Sequence, residues 1–288
     1  MQSSVATSEN SKISGKFTHF TRAFKDNCEN DISFGFFTFG NRGNNMTDET
    51  LKLKNLINES NNIVFFGGAG VSTASGIPDF RGTYGLYTKE NDVPYEIMLS
   101  HTYFEQHPEK FYEFYTHGML YPDAKPNGAH RAVAELEKRG KLKAVVTQNI
   151  DGLHQAAGSK KVIELHGSAL RNYCMSCKTE YGMEKILEAD GRVPHCDKCG
   201  GIVRPDVVLY EEGLDENAIN NAVEYISGSD LLIVAGTSLV VYPAAGFVRY
   251  ANGRMVLLNR DETAYDKYAD LVIHEDLAKV LYEAVFEE

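Results

Sequence analysis

From residue 47 onward the chain alternates between two periodicities. Thr47 is followed by acidic Asp48 and Glu49, and Leu51, Leu53, Leu56 and Ile57 then recur at the spacing of one helix face. A capping hydroxyl, acids in the first turn and an apolar stripe predict an amphipathic helix. Short apolar runs follow at 63–66, 144–147, 162–165, 207–210, 231–234, 255–258 and 271–273, with helix-period stretches such as 127–139 and 216–226 between them. Runs that are apolar on both faces suit strands covered by helices on both sides. The pattern therefore predicts an α/β fold, a doubly wound, mostly parallel Rossmann-like sheet. No internal repeat or low-complexity tract interrupts it.

Residues 1–45 differ from this. They hold seven of the fifteen Phe and carry five Lys or Arg against four Asp or Glu, a net charge of +1 where the remainder carries -12. Phe17, Phe20 and Phe24 lie at helical spacing beside Lys16, Arg22 and Lys25, while Phe34, Phe36, Phe37 and Phe39 form a Gly-punctuated run. Interleaved charge excludes a signal-peptide core, and the acids argue against a transit peptide. Because terminal segments stay loose unless tied down, 1–45 is expected to be a disordered extension ahead of Met46, with a packing element or dimer contact as the alternative.

At 288 residues and 43% apolar content, the chain can bury one sizeable core and a small second module. A formal charge of -11 argues against direct nucleic-acid binding, which needs a surplus of Lys and Arg, and suits a cationic peptide partner. No apolar run of about 18 residues occurs, so no membrane span is expected. The expected compartment is the cytoplasm and the expected state a monomer.

Four of the five cysteines form two C-x-x-C pairs, Cys174/Cys177 and Cys196/Cys199, eighteen residues apart. Without a secretory signal, two such pairs indicate a metal before a disulfide. Each turn presents two thiolates, and four complete a closed tetrahedral site with no open position for water. A structural Zn2+ in a module spanning 168–204 is expected, rather than a redox dithiol. His195 finds no vacancy beside four thiolates, and Cys28 stands apart.

Two small-residue turns follow predicted strands: Gly67-Gly68-Ala69-Gly70-Val71-Ser72 and Gly236-Thr237-Ser238. Such turns let the backbone approach a pyrophosphate and open a helix whose amides face it, although a plain tight turn would look the same. The usual G-x-G-x-x-G spacing is not met. Two turns at carboxyl ends of strands fit a ligand lying across the switch point of a doubly wound sheet, with Asn259 placed to contact a ribose or adenine.

Gly68-Ala69-Gly70-Val71-Ser72, Gly76-Ile77-Pro78-Asp79-Phe80-Arg81, Thr147-Gln148-Asn149-Ile150-Asp151 and His166-Gly167, in this order and spacing, closely resemble the sirtuins of bacterial type, the NAD-dependent protein-lysine deacylases. The resemblance covers about 51–281 and implies a catalytic domain over 46–288, with a helical module and cofactor loop at about 80–125. It implies attack of the acyl-lysine carbonyl oxygen on C1′ of the nicotinamide ribose, release of nicotinamide and formation of an O-alkylamidate. A base then activates a ribose hydroxyl, which leads to deacylated lysine and O-acyl-ADP-ribose.

By position His166 is that base, and an imidazole titrates near the pH at which it must work. Taken alone, a histidine at a strand end is an ordinary polar surface residue. The resemblance assigns Asn149, with Gln148 beside it, to the ribose and Asp151 to the nicotinamide pocket; unaided, Asn and Asp after a strand are turn residues. Ile77, Asp79, Phe80 and Arg81 match the start of the cofactor loop, where Phe80 would exclude water. Gly68, Ala69, Gly70, Ser72, Ile150, Gly236, Thr237, Ser238, Asn259 and Arg260 complete the implied NAD set.

In sirtuins the segments matching Val207-Val208-Leu209-Tyr210 and Val240-Val241-Tyr242 sandwich the substrate peptide as an added strand. Glu211 departs from the pattern, since a Gly is frequent there ahead of the acidic residue, here Glu212. Members acting on succinyl- or malonyl-lysine carry Tyr-x-x-Arg, which clamps the acyl carboxylate. The corresponding place reads Tyr115-Thr116-His117-Gly118, so uncharged acyl groups are expected. The rival readings are a mono-ADP-ribosyltransferase or NAD hydrolase on the same fold, and a non-catalytic zinc-ribbon binding module.

Overall fold

The structure, a computed structural model, describes residues 46–80, 85 and 93–287. The expectations for 1–45, including Cys28 and both Phe groups, and for Arg81 lie outside the described residues.

In chain order the strands are β1 (Ile63–Gly67), β2 (Leu142–Thr147), β3 (Val162–Glu164), β4 (Gly167–Cys174), β5 (Glu180–Tyr181), β6 (Val203–Val207), β7 (Leu231–Ala235), β8 (Arg254–Leu258) and β9 (Leu271–Ile273). Six of them form one sheet in the order β3-β2-β1-β7-β8-β9, and every neighbouring pair is parallel. All five residues of β1 and of β7 are buried, which is why their sequences are apolar without alternation.

The two faces feed separate cores. Phe65, Val145, Ile233 and Val256 pack on one side with the helices Asp48–Glu59, Gly128–Lys138 and Leu277–Phe286. Phe66, Val146, Val234 and Leu257 pack on the other with Ala222 and Ile226 of the helix Glu216–Ser227. The first helix starts as its sequence requires, with the Thr47 hydroxyl accepting from the Thr50 N–H at 3.2 Å. Leu53 and Ile57 are buried, whereas Leu51 of the expected stripe is 48% exposed.

The run at 207–210 does not enter the parallel sheet. The chain instead forms β6 at Val203–Val207, antiparallel to β4 in a three-stranded sheet ordered β5-β4-β6. Burial alternates from Val203 through Leu209, with Val203, Pro205, Val207 and Leu209 inward. That is the period of a strand with one face packed, and a strand covered on both faces does not show it. Val203, Val207 and Leu209 join Phe104, Phe111, Tyr112 and Tyr115 in a third core shared with the short helices between 95 and 114.

Candidate active site

In the sheet order, β1 and β7 are neighbours from which the chain departs in opposite directions, toward β2 and β3 on one side and β8 and β9 on the other. A crevice opens beyond the carboxyl ends of strands at such a point. Both small-residue turns lie there and touch: the Gly68 N–H donates to the Ala235 carbonyl at 3.1 Å, and the Gly70 N–H to the Gly236 carbonyl at 2.8 Å. A Cβ on Gly70 would stand 2.7 Å from the Gly236 Cα, and one on Gly68 2.7 Å from the Thr237 Cβ. Glycine is needed because the two turns are in contact. The helix expected after the first turn is a 3-10 stretch, Ala69–Ser75, and its Gly70 amide is spent on the second turn.

A cavity of about 370 Å³ occupies the crevice. Gly68, Ala69, Gly70 and Ser72 line it from the first turn, and Gly236, Thr237 and Ser238 from the second. Gln148, Asn149, Ile150 and Asp151 enter from the end of β2, and His166 enters just beyond β3. Ile77, Asp79 and Phe80 form another wall, and Asn259 reaches in from the end of β8.

Ser72 is the hub of the polar wall. Its buried hydroxyl donates to Asp151 Oδ2 at 2.6 Å and accepts from Asn149 Nδ2 at 3.1 Å. Asp151 Oδ1 accepts from the Leu153 N–H at 2.9 Å, which fixes the carboxylate at both oxygens. Gln148 Nε2 donates to Thr237 Oγ1 at 3.1 Å and so joins the two sides of the crevice.

His166 Nδ1 lies 2.9 Å from the Gln148 carbonyl oxygen. A carbonyl only accepts, so Nδ1 carries the proton and the neutral ring keeps the Nε2 lone pair free. Burial holds the imidazole below its ordinary pKa, against the opposing pull of that hydrogen bond. At neutral pH the ring is therefore an unprotonated base.

Val207, Val208, Leu209 and Tyr210 line the cavity, and the Val208 N–H donates to the His166 carbonyl at 3.0 Å. Val241 and Tyr242 face them, but Val240 is 54% exposed and outside the wall. Arg260 is also outside it and exposed: the Asn259 carbonyl accepts from His274 Nδ1 at 2.7 Å and its N–H donates to Ile273, which ties 259 to β9 and leaves the next side chain in solvent. Glu211 takes φ +75°, the left-handed conformation a Gly adopts freely, while its carboxylate accepts from the Thr102 N–H at 2.9 Å. Glu212 pairs with Arg204 at 2.6 Å.

Tyr115 and Gly118 both line the cavity, and no Arg or Lys does so among the described residues. Leu99, Tyr121, Ala169 and Met183 also line it, and these the sequence reading missed. Nothing local marks them; Leu99, Ala169 and Met183 arrive through packing of the third core.

At the end of β4, the Sγ atoms of Cys174, Cys177, Cys196 and Cys199 all lie within 4.8 Å of one another. Cys174 and Cys199 are 3.5 Å apart and Cys177 and Cys196 3.6 Å apart, too far for S–S bonds. A tetrahedron with Zn–S near 2.3 Å has edges of about 3.8 Å, so the four thiolates fit zinc and leave no position for a substrate. No helix among the described residues is long and apolar enough to cross a membrane.

A parallel sheet with its crevice at the switch point, a half-buried neutral histidine in that crevice and a closed thiolate site on a separate small sheet define a dinucleotide-cleft α/β protein with a zinc module. The chain belongs to the Sir2 family, whose model matches residues 68–243. It is 58% identical over 239 residues to the NAD-dependent protein deacetylase of Clostridium acetobutylicum, covering 82% of this chain and 98% of that protein. It is 57% identical over 244 residues to the deacetylase of Clostridium perfringens, covering 83% and 100%. A Sir2 structure with deacetylated p53 peptide and 3'-O-acetyl ADP ribose superposes with a TM-score of 0.76 at 41% identity, covering 83% of this chain and 98% of that one. A Sir2 complex with p53 peptide and NAD+ gives 0.71 at 43% identity, covering 80% and 94%.

Proposed function

We propose that the cavity removes acetyl and other uncharged acyl groups from protein lysine side chains, with NAD as co-substrate and nicotinamide, O-acetyl-ADP-ribose and free lysine as products. NAD supplies the leaving nicotinamide and the ADP-ribosyl group that carries the acyl away. The observation that carries the reading is the free Nε2 of His166 in the cavity shared with Asn149 and Asp151. His166 takes the proton of a ribose hydroxyl at Nε2, and the Gln148 carbonyl holds the required tautomer. Asn149 and Gln148 orient the ribose, and Asp151 accepts from the nicotinamide carboxamide. Phe80 excludes water, and the walls at Val207–Tyr210 and Val241–Tyr242 bind the peptide main chain.

The catalytic unit is 46–288, with the cofactor loop within 80–125 and zinc in 168–204 holding a module too small for its own core. The protein works in the cytoplasm as a monomer, on acyl-lysine proteins. The test is mass spectrometry of an acetyl-peptide reaction with and without NAD, using wild-type and His166→Ala protein. The expected result is NAD-dependent loss of acetyl with O-acetyl-ADP-ribose, absent in the variant. Free ADP-ribose formed without the peptide would replace the reading with an NAD hydrolase.

A further inference from the structure

Since Ser72 binds both Asn149 and Asp151, whatever fixes Ser72 fixes the polar wall of the cavity. Its segment, Ala69–Ser75, is gripped from outside the cavity by Asn127, the residue preceding the helix Gly128–Lys138. Asn127 Nδ2 donates to the Val71 carbonyl at 2.8 Å and to Ser75 Oγ at 3.0 Å, on either side of Ser72. The other end of the same amide caps the helix, with Oδ1 accepting from the Ala129 N–H at 2.9 Å.

Asn127 is itself braced. Its own N–H donates to His130 Nδ1 at 3.3 Å, and the fully buried His130 ring packs at 4.8 Å edge to face on His154. His154 in turn packs at 5.6 Å against Phe65 of β1. The clamp is therefore anchored in the same strand that ends at the glycine turn.

We propose that Asn127, braced by His130, is a positioning residue for the deacylation site: its amide sets where Ser72 stands, and through Ser72 where Asn149 and Asp151 stand. The proposal rests on the reading of this cavity as the NAD site. A primary amide suits the task because it offers an acceptor to the helix and two donors to the turn on one rigid plane. Asp and Ser are comparable helix caps but lack that pair of donors.

The test uses the full chain with Asn127→Ser and Asn127→Asp, both of which keep a cap. Steady-state kinetics would vary NAD and acetyl-peptide separately, melting would be followed, and hydrogen exchange would be read over 69–75. The expected result is a rise in KM for NAD of about ten-fold or more, the scale of a slightly misplaced binding group, with KM for the peptide within about two-fold, a near-wild-type Tm and faster exchange at 69–75. Unchanged exchange and unchanged KM for NAD in both variants would overturn the clamp, as would equal rises in both KM values accompanied by a large fall in Tm. Failure of the cavity reading shows differently, as wild-type protein that releases no nicotinamide from NAD.

Discussion

His154→Phe isolates an electrostatic liability built into the first core. Both nitrogens of His154 and Nε2 of His130 are buried without a partner, and the residues are 2% and 0% exposed. Burial pushes His154 down to about 3 and His130 down to about 4; proximity to Asp151 opposes the effect at His130. The unfolded chain titrates both near 6.5, so between these values it binds protons that the folded chain does not. Stability is therefore lost as pH falls. From pH 7 to 5 each imidazole removes about 2 kcal/mol, or about 4 kcal/mol for the pair, at 1.36 kcal/mol per unit.

Phenylalanine keeps the ring contacts on Phe65 and His130 but deletes one titration. The loss over the same interval should then halve, to about 2 kcal/mol. At pH 7 the variant also sheds two unpartnered buried polar atoms, worth about 1–3 kcal/mol each, and should be at least as stable as wild type. The depressed titration of His166 is common to both proteins and cancels in the comparison. Urea unfolding at pH 7 and pH 5 reads the difference. An identical pH dependence in wild type and variant would mean that His154 is not held neutral by burial.

Because burial lowers the His166 pKa, the rate should fall only as pH drops through a value below 6.5; a pH profile of kcat/KM with its acid limb above 6.5 contradicts this. One zinc per chain is expected by metal analysis, and Cys177→Ser or a strong chelator should lower Tm by unfolding the small sheet; an unshifted Tm on metal loss counts against a structural role. Gly70→Ala forces a methyl against Gly236 and should destabilise by about 1–3 kcal/mol while raising KM for NAD. Acetyl-peptide should be turned over faster than succinyl-peptide, since no Arg or Lys lines the cavity among the described residues; comparison of the two kcat/KM values decides.

The parallel strands were legible because burial on both faces leaves uninterrupted apolar runs, and β9 at Leu271–Ile273 was read to the residue. The same logic misassigned 207–210, where the polar alternation of Arg204 and Asp206 ahead of the run pointed to a half-buried strand. The helix Leu277–Phe286 went unread although Asp276 caps it, accepting from the Ala278 N–H at 2.9 Å, and its apolar spacing is regular. Leu51 fits the helical stripe yet faces solvent, which only the angle of docking decides. In the site, motif order brought His166, Asn149 and Asp151 together, but nothing local to Ser72 announces that it binds both of the last two.

The precision of the cavity follows from where its residues sit relative to the ladder. Hydrogen bonding continues one step past the strand ends: the Gln148 N–H donates to Gly67 at 2.9 Å, Leu165 to Thr147 at 2.9 Å, Gly236 to Leu258 at 2.9 Å and Asn259 to Ile273 at 3.2 Å. Gly68, Gln148, His166, Gly236 and Asn259 are thus the first or second residues beyond strands fixed in register in the parallel sheet. Their backbones inherit the rigidity of the sheet, and only the side chains remain to be oriented. Ser72 lies on a 3-10 segment with no place in that ladder, tied to the second turn by the Gly70 N–H and otherwise held to its neighbours by side-chain bonds. A site assembled this way should tolerate change in its outer apolar lining better than change in the few hydrogen bonds that tie Ala69–Ser75 to its neighbours.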